Sequence, residues 1–196
     1  MVSTVAVKQP ETLIAEMDYI GVEKAVLHHS LHLGLIDGYL RDAVRRFPDR
    51  LVRLVSVRDG DTPRDPDTAI AKFEAELAAG GCCGLQFFPR FYYLGGNTEP
   101  WDGGPMRPFW DAVVALGVPV FFTLSPRRGD AVDDYLYELR VLRRWMEAHP
   151  DVIVVLTHGF NWRMFRRGDR MVLPDDLFDA VPADSPNFNL QLVLSV

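Results

Sequence analysis

Two hydrophobic patterns alternate along the chain: stripes at helical spacing and short unbroken apolar runs. Pro10 and Glu11 open a helix whose face is Leu13, Met17 and Ile20, and Gly21 fits its C-terminal cap. Lys24 to His28 then reads as a short strand, and residues 29–38 as a loop carrying His32. Ile36, Leu40, Val44 and Phe47 mark a helix that Pro48 stops, and Leu51 to Val57 is the next strand. After a turn-rich loop, a helix from about Asp67 to Ala79 buries Ile70, Phe73 and Leu77. Cys83 to Phe88 is a strand, and Pro89 to Met106 lacks either period and reads as a long loop. A helix from Pro108 to Leu116 precedes a strand over Val118 to Leu124. Asp130 to His149 is a long helix with Tyr135, Leu139, Leu142 and Met146 as its buried stripe. Val152 to Thr157 is an apolar, β-branched run of the kind a strand buried on both faces shows. Pro174 opens a last helix, and Phe188 to Val196 is a final strand.

Six strands thus recur roughly every 30 to 35 residues with a helix in each gap, the size of a βα unit. Alternating helices and apolar strands predict a parallel sheet with helical cover. A closed (β/α)8 barrel needs eight strands, so the expectation is an α/β TIM-barrel-like domain over residues 1–196, incomplete, with about six βα units and its first and last strands missing. A six-stranded open sheet is the weaker alternative, since no glycine-rich phosphate fingerprint follows the first strand.

Composition narrows the function. The apolar fraction is 48% and the charged fraction 24%, ordinary for a soluble globular chain. The net charge of -6 argues against a nucleic-acid surface. No run is long enough to span a bilayer and no signal peptide is visible, which predicts a cytoplasmic protein without a membrane partner. Cys82 and Cys83 are adjacent, a spacing that suits neither a structural disulfide nor a metal finger.

In a barrel, chemistry gathers at the carboxyl ends of the strands. Those ends carry His28 and His29, Asp59, Gln86 with Arg90, Thr123 with Ser125, His158, and finally Ser195. His158 is the leading candidate for proton transfer, because imidazole titrates near neutral pH. His28 and His29 would point to opposite faces if both lie in the strand, so at most one faces the mouth. Arg90 is a candidate anion clamp, and the aromatic loop with Tyr92 is either a wall for a planar substrate or a loop packed on itself. His149, at the end of a long helix, suits the helix dipole. The same dipole accounts for the acidic pairs Asp133–Asp134 and Asp175–Asp176 without chemistry. No metal site assembles from these residues alone.

The runs P-E-T-L-I-A-E-M-D-Y-I-G-V-E-K-A-V-L, Y-L-R-D-A-V-R-R-F-P-D-R-L-V-R-L-V-S-V and F-W-D-A-V-V-A-L-G-V-P-V-F-F are similar to the amidohydrolase-related branch of the metal-dependent hydrolases. That branch includes aminocarboxymuconate-semialdehyde decarboxylase and resorcylate-type decarboxylases. The run L-T-H-G-F-N-W resembles the family's sixth-strand histidine motif. The resemblance implies a (β/α)8 barrel with one divalent metal, zinc foremost, and hydrolysis or non-oxidative decarboxylation of a small aromatic or unsaturated carboxylic acid. It implies His158 as the catalytic proton carrier. The expected substrate contacts are His29, Gln86, Arg90, Tyr92, Thr123 and Asn161. The family's first-strand H-x-H and eighth-strand aspartate have no counterpart here, and Thr123 stands where a fifth-strand histidine is usual. The expectation is therefore a piece of a longer metalloenzyme. The alternative is a short protein that has lost catalysis and serves in binding or assembly. Open sheet edges would also suit a homo-oligomer.

Overall fold

The computed structural model describes residues 9–29, 34–127, 131–159, 165–172 and 188–189. Six strands form one parallel sheet: β1 (Ala25–Leu27), β2 (Leu51–Ser56), β3 (Cys82–Phe87), β4 (Val120–Phe122), β5 (Val154–Leu156) and β8 (Phe188–Asn189). Their spatial order is β1-β2-β3-β4-β5-β8, so the large-sheet strands follow one another in sequence. This sequential order, with helical crossovers, is the arrangement of a TIM barrel rather than of a doubly wound sheet. The architecture is a curled α/β half-barrel, as the six βα repeats predict. The short strands β6 (Arg166–Arg167) and β7 (Arg170–Met171) make a separate antiparallel hairpin that the hydrophobic pattern does not signal.

Six α-helices are described: α1 (Pro10–Ile20), α2 (Asp37–Arg46), α3 (Pro66–Ala78), α4 (Pro89–Leu94), α5 (Arg107–Ala115) and α6 (Val132–Ala148). Among the described residues, no helix is long and apolar enough to cross a membrane. The starts follow the local chemistry. Pro10 and Pro66 stand in first turns, and the Asp65 side chain accepts the Thr68 N–H at 3.1 Å.

Strand parity separates two faces. Val55, Leu85, Phe87, Val120, Phe122, Val154 and Leu156 point outward and are buried under the helices. There Phe87, Trp110, Phe122 and Trp145 interlock, with ring centroids 4.9 Å apart for Phe87–Trp110 and 5.2 Å for Phe122–Trp145. The expected stripe of α6 is buried in full: Tyr135, Leu139, Leu142 and Met146. A smaller cluster of Met17, Ala43, Val44 and Leu51 seats α1 and α2. The alternate positions Val26, Leu54, Phe121 and Val155 line the concave side.

Residues 89–106 depart from the expected long loop. They contain α4 and a 3-10 turn over Gly104–Met106. The aromatic side chains supply the burial that stabilises these turns, which no simple period announces. Tyr92, expected to touch substrate, is instead a core residue with its ring 1% exposed, and Trp101 is fully buried against Phe122. The fixed position of this segment has a backbone cause. A Cβ on Gly95 would stand 2.4 Å from the Gly60 Cα, so the end of α4 and the loop after β2 touch main chain to main chain. The helix expected from Pro174, and the final strand beyond Asn189, lie outside the described residues.

Candidate active site

The carboxyl end of β1 sends its two histidines apart, as alternation requires. His28 reaches the concave side, whereas His29 is buried on the helix side. The His28 Nδ1 lies 2.9 Å from the His29 carbonyl. The Gln86 Nε2 lies 3.4 Å from the same Nδ1.

His158 follows β5 with φ 66°, and it is the one non-glycine residue with positive φ among those described. Such a conformation costs on the order of 1–3 kcal/mol and persists where the surroundings hold it. It turns the imidazole toward His28, with ring centroids 5.8 Å apart and planes near perpendicular. Burial, and then the neighbouring His28, hold the His158 pKa below its usual value, so the ring is neutral at pH 7. The two imidazoles, with Val26, Leu54, Phe121, Val155 and Thr157, enclose a hollow of about 270 Å³.

Gln86 braces this mouth from below. It is fully buried, its Oε1 accepts the His29 N–H at 2.8 Å, and its Nε2 donates to the His29 carbonyl at 3.3 Å. Thr123 and Thr157 follow β4 and β5 on the concave side. Their hydroxyls are buried and have no hydrogen-bond partner among the described residues, and the same holds for Ser125. Buried polar atoms are normally satisfied, so these hydroxyls are free to meet a bound molecule or water.

The other candidates fall elsewhere. The His29 ring is held on both sides: Nδ1 accepts the Ile36 N–H at 3.1 Å, and Nε2 lies 3.2 Å from Asp37 Oδ1. It supports the β1 end from the helix side and does not line the His28–His158 hollow. Arg90 stands half-buried in the first turn of α4, away from that hollow. Asn161 lies outside the described residues. His149 ends α6 and its ring sits 4.8 Å from that of Trp145, a structural position.

The hydrophobic pattern gives no sign of two groups in this network. Lys72, on α3, places its ammonium 2.9 Å from Asp37 and donates to the Ser56 carbonyl at 2.7 Å. Burial pushes the Asp37 carboxyl up, but the hydrogen bonds from His29 and Lys72 outweigh it and bring its pKa down to about 2. Lys72 reads in sequence as an ordinary polar helix position. Only the packing of α3 on the sheet turns it inward.

The described residues do not assemble a metal centre. No group of three His, Cys, Asp or Glu side chains converges among them. His28 and His158 offer two imidazoles, short of the three protein ligands a catalytic zinc usually takes.

Comparison with known proteins accords with this geometry. A family model described as amidohydrolase matches residues 3–166. A comparison with curated protein sequences returns no match. Among solved structures, 2,6-dihydroxybenzoate decarboxylase from Rhizobium is similar with a TM-score of 0.61 at 16% identity, over 76% of this chain and 55% of that one. A probable 2-pyrone-4,6-dicarboxylic acid hydrolase from Acinetobacter baumannii, with citric acid bound, has a TM-score of 0.52 at 18% identity, over 79% and 51%. A 5-carboxyvanillate decarboxylase from Novosphingobium aromaticivorans, complexed with manganese, has a TM-score of 0.54 at 19% identity, over 73% and 47%. The chain therefore spans about half the length of these structures. At these identities the likeness establishes the fold.

Proposed function

The chain belongs to the amidohydrolase family, and from that premise we propose that it serves in hydrolysis or non-oxidative decarboxylation of a small aromatic or unsaturated carboxylic acid, with His158 carrying the proton. The observation that carries this reading is the neutral His158 imidazole, held in a left-handed backbone turn beside His28 at the mouth of the half-barrel. An imidazole whose pKa is held below 6.5 is unprotonated at neutral pH and free to accept a proton.

In hydrolysis, His158 takes a proton from water as the oxygen attacks the substrate carbonyl carbon. It returns that proton to the leaving oxygen or nitrogen as the old bond breaks. In decarboxylation, the imidazole first takes a proton from solvent; the bond to the carboxylate then breaks, carbon dioxide leaves, the bonding pair stays on the remaining carbon, and that carbon takes the imidazole's proton. Thr123 and Thr157, whose buried hydroxyls have no hydrogen-bond partner among the described residues, would hydrogen-bond a carboxylate or a ring oxygen. Phe121 and Val155 give a flat, apolar seat.

A divalent metal is the family's usual partner, and the manganese complex above is one instance among similar folds. The described residues of this chain supply two imidazoles and no third ligand, so no step is routed through a metal here.

The test compares wild type and His158→Ala on 2,6-dihydroxybenzoate and 2-pyrone-4,6-dicarboxylate. The expected loss of kcat is at least ~100-fold, the usual scale for general acid–base catalysis. On 2-pyrone-4,6-dicarboxylate, where His158 acts first as a base, the wild-type rate should rise with pH through a midpoint below 6.5; on 2,6-dihydroxybenzoate, where it delivers a proton, the rate should fall through the same midpoint. Turnover unchanged by the substitution would refute the role of His158.

A further inference from the structure

A second hollow lies on the helix side of the strand ends. Its volume is about 220 Å³, and it is walled mainly by Leu35, Val57, Phe88 and Phe91, with Asp59 and His29 among its polar members. It shares no lining residue with the His28–His158 hollow, and the Gln86–His29 pair stands between them. We propose that this hollow is a separate binding site for a small neutral molecule with an apolar ring and one hydroxyl, which pairs with Asp59.

The argument starts from the Asp59 carboxyl. Asp59 is 2% exposed. Its Oδ2 accepts the Phe88 N–H at 2.9 Å, while Oδ1 is buried with no hydrogen-bond partner among the described residues. Leaving such a group unsatisfied is costly. A fold that keeps it beside a hollow has a ready partner for an incoming polar group. Burial also pushes the Asp59 pKa well above the usual carboxylate range.

The surroundings select the ligand. Lys72 acts on Asp59 through its charge, and Arg58 stands exposed at the rim, so a cationic ligand meets like charge. An anionic ligand would leave water for a hollow walled mainly by apolar side chains, where the Lys72 ammonium is already paired with Asp37 at 2.9 Å. A hydroxyl donates to a carboxylate and accepts from a protonated carboxyl, so it pairs with Asp59 in either state. The His29 Nδ1 already accepts the Ile36 N–H and its Nε2 faces Asp37 Oδ1 at 3.2 Å, so Asp59 is the polar anchor. An apolar cavity of about 150 Å³ holds benzene, so this one has room for a substituted six-membered ring.

The site is also fixed before binding, which lowers the cost of filling it. Next to Asp59, Gly60 lies against the Gly95 main chain, and its carbonyl accepts the Asn97 side-chain N–H at 3.0 Å.

The experiment titrates the full chain with cyclohexanol and with methylcyclohexane, following the Phe88 and Phe91 ring signals by NMR. Cyclohexanol should shift them saturably and bind at least tenfold more tightly than methylcyclohexane. Asp59→Leu should remove that preference. Phe91→Trp, which fills the hollow without touching the carboxyl, should block both ligands and serves if the Asp59 variant fails to fold. His158→Ala should bind cyclohexanol as wild type does, which separates this site from the proposed catalytic one. Equal binding of the two probes, no saturable shift, or cyclohexanol binding that survives Phe91→Trp would each overturn the proposal.

Discussion

Glu138 makes the stability of this fold depend on pH in a direction opposite to that of most carboxylates. It lies on α6 at 0% exposure, and its Oε2 accepts the Trp101 indole N–H at 2.8 Å. Burial raises its pKa from 4.5 to about 7, against the smaller lowering effects of Trp101, Tyr93 and Arg127. Arg127 itself sits over the Tyr93 ring at 5.1 Å, so the local cation is spread across an aromatic face rather than paired with the carboxyl. A folded pKa above the unfolded one means the stabilisation is full below 4.5 and is lost as pH rises through about 7. The difference of roughly 2.5 pKa units corresponds to about 3 kcal/mol. Glu138→Gln keeps an acceptor for Trp101 and removes the titration. Urea denaturation of both proteins across the pH range reads the effect directly. Asp59, also raised by burial, contributes equally to both proteins, so their difference isolates Glu138. Wild type should lose about 3 kcal/mol relative to the variant between pH ~4 and pH ~8. Parallel pH profiles, differing by less than ~1 kcal/mol, would show that the buried carboxyl is not held neutral.

Three further outcomes follow from the packing. Gly95→Ala places a methyl 2.4 Å from the Gly60 Cα, where only main chain can yield, and should cost about 1–3 kcal/mol by thermal melting. Arg53 is fully buried and pairs with Glu76 at 2.9 Å. Arg53→Met should therefore cost about 3 kcal/mol, and adding Glu76→Leu should recover most of it; no recovery would mean the loss is not the stranded carboxylate. His28→Ala removes one of the two influences that depress His158, so an NMR titration should show the His158 pKa moving toward 6.5. An unchanged midpoint would assign the depression to burial alone.

The sequence by itself determined the six strands of the large sheet and the alternation of their faces, but not the β6–β7 hairpin. The apolar runs after glycine caps, such as Gly21 before β1 and Gly117 before β4, read as strands. With right-handed crossovers, sequential neighbours then lie side by side. The divergence of His28 and His29 was likewise legible, because side chains alternate along a strand. What only the tertiary structure decided concerns groups brought together across the sheet. His28 and His158 are 130 positions apart, and their edge-to-face contact depends on the curl of the sheet and on the left-handed turn at His158. The aromatic residues of 89–106 have the composition of a substrate wall and of a core alike. The main-chain contact of Gly60 with Gly95, together with the Glu138 hydrogen bond to Trp101, sends Tyr92 and Trp101 inward. Asp59 reads as a turn residue in sequence. Its burial with one unsatisfied oxygen arises only when the loop after β2 closes over the end of β3. Local periodicity records which face of each element is apolar, whereas distances between elements are set by how those faces meet.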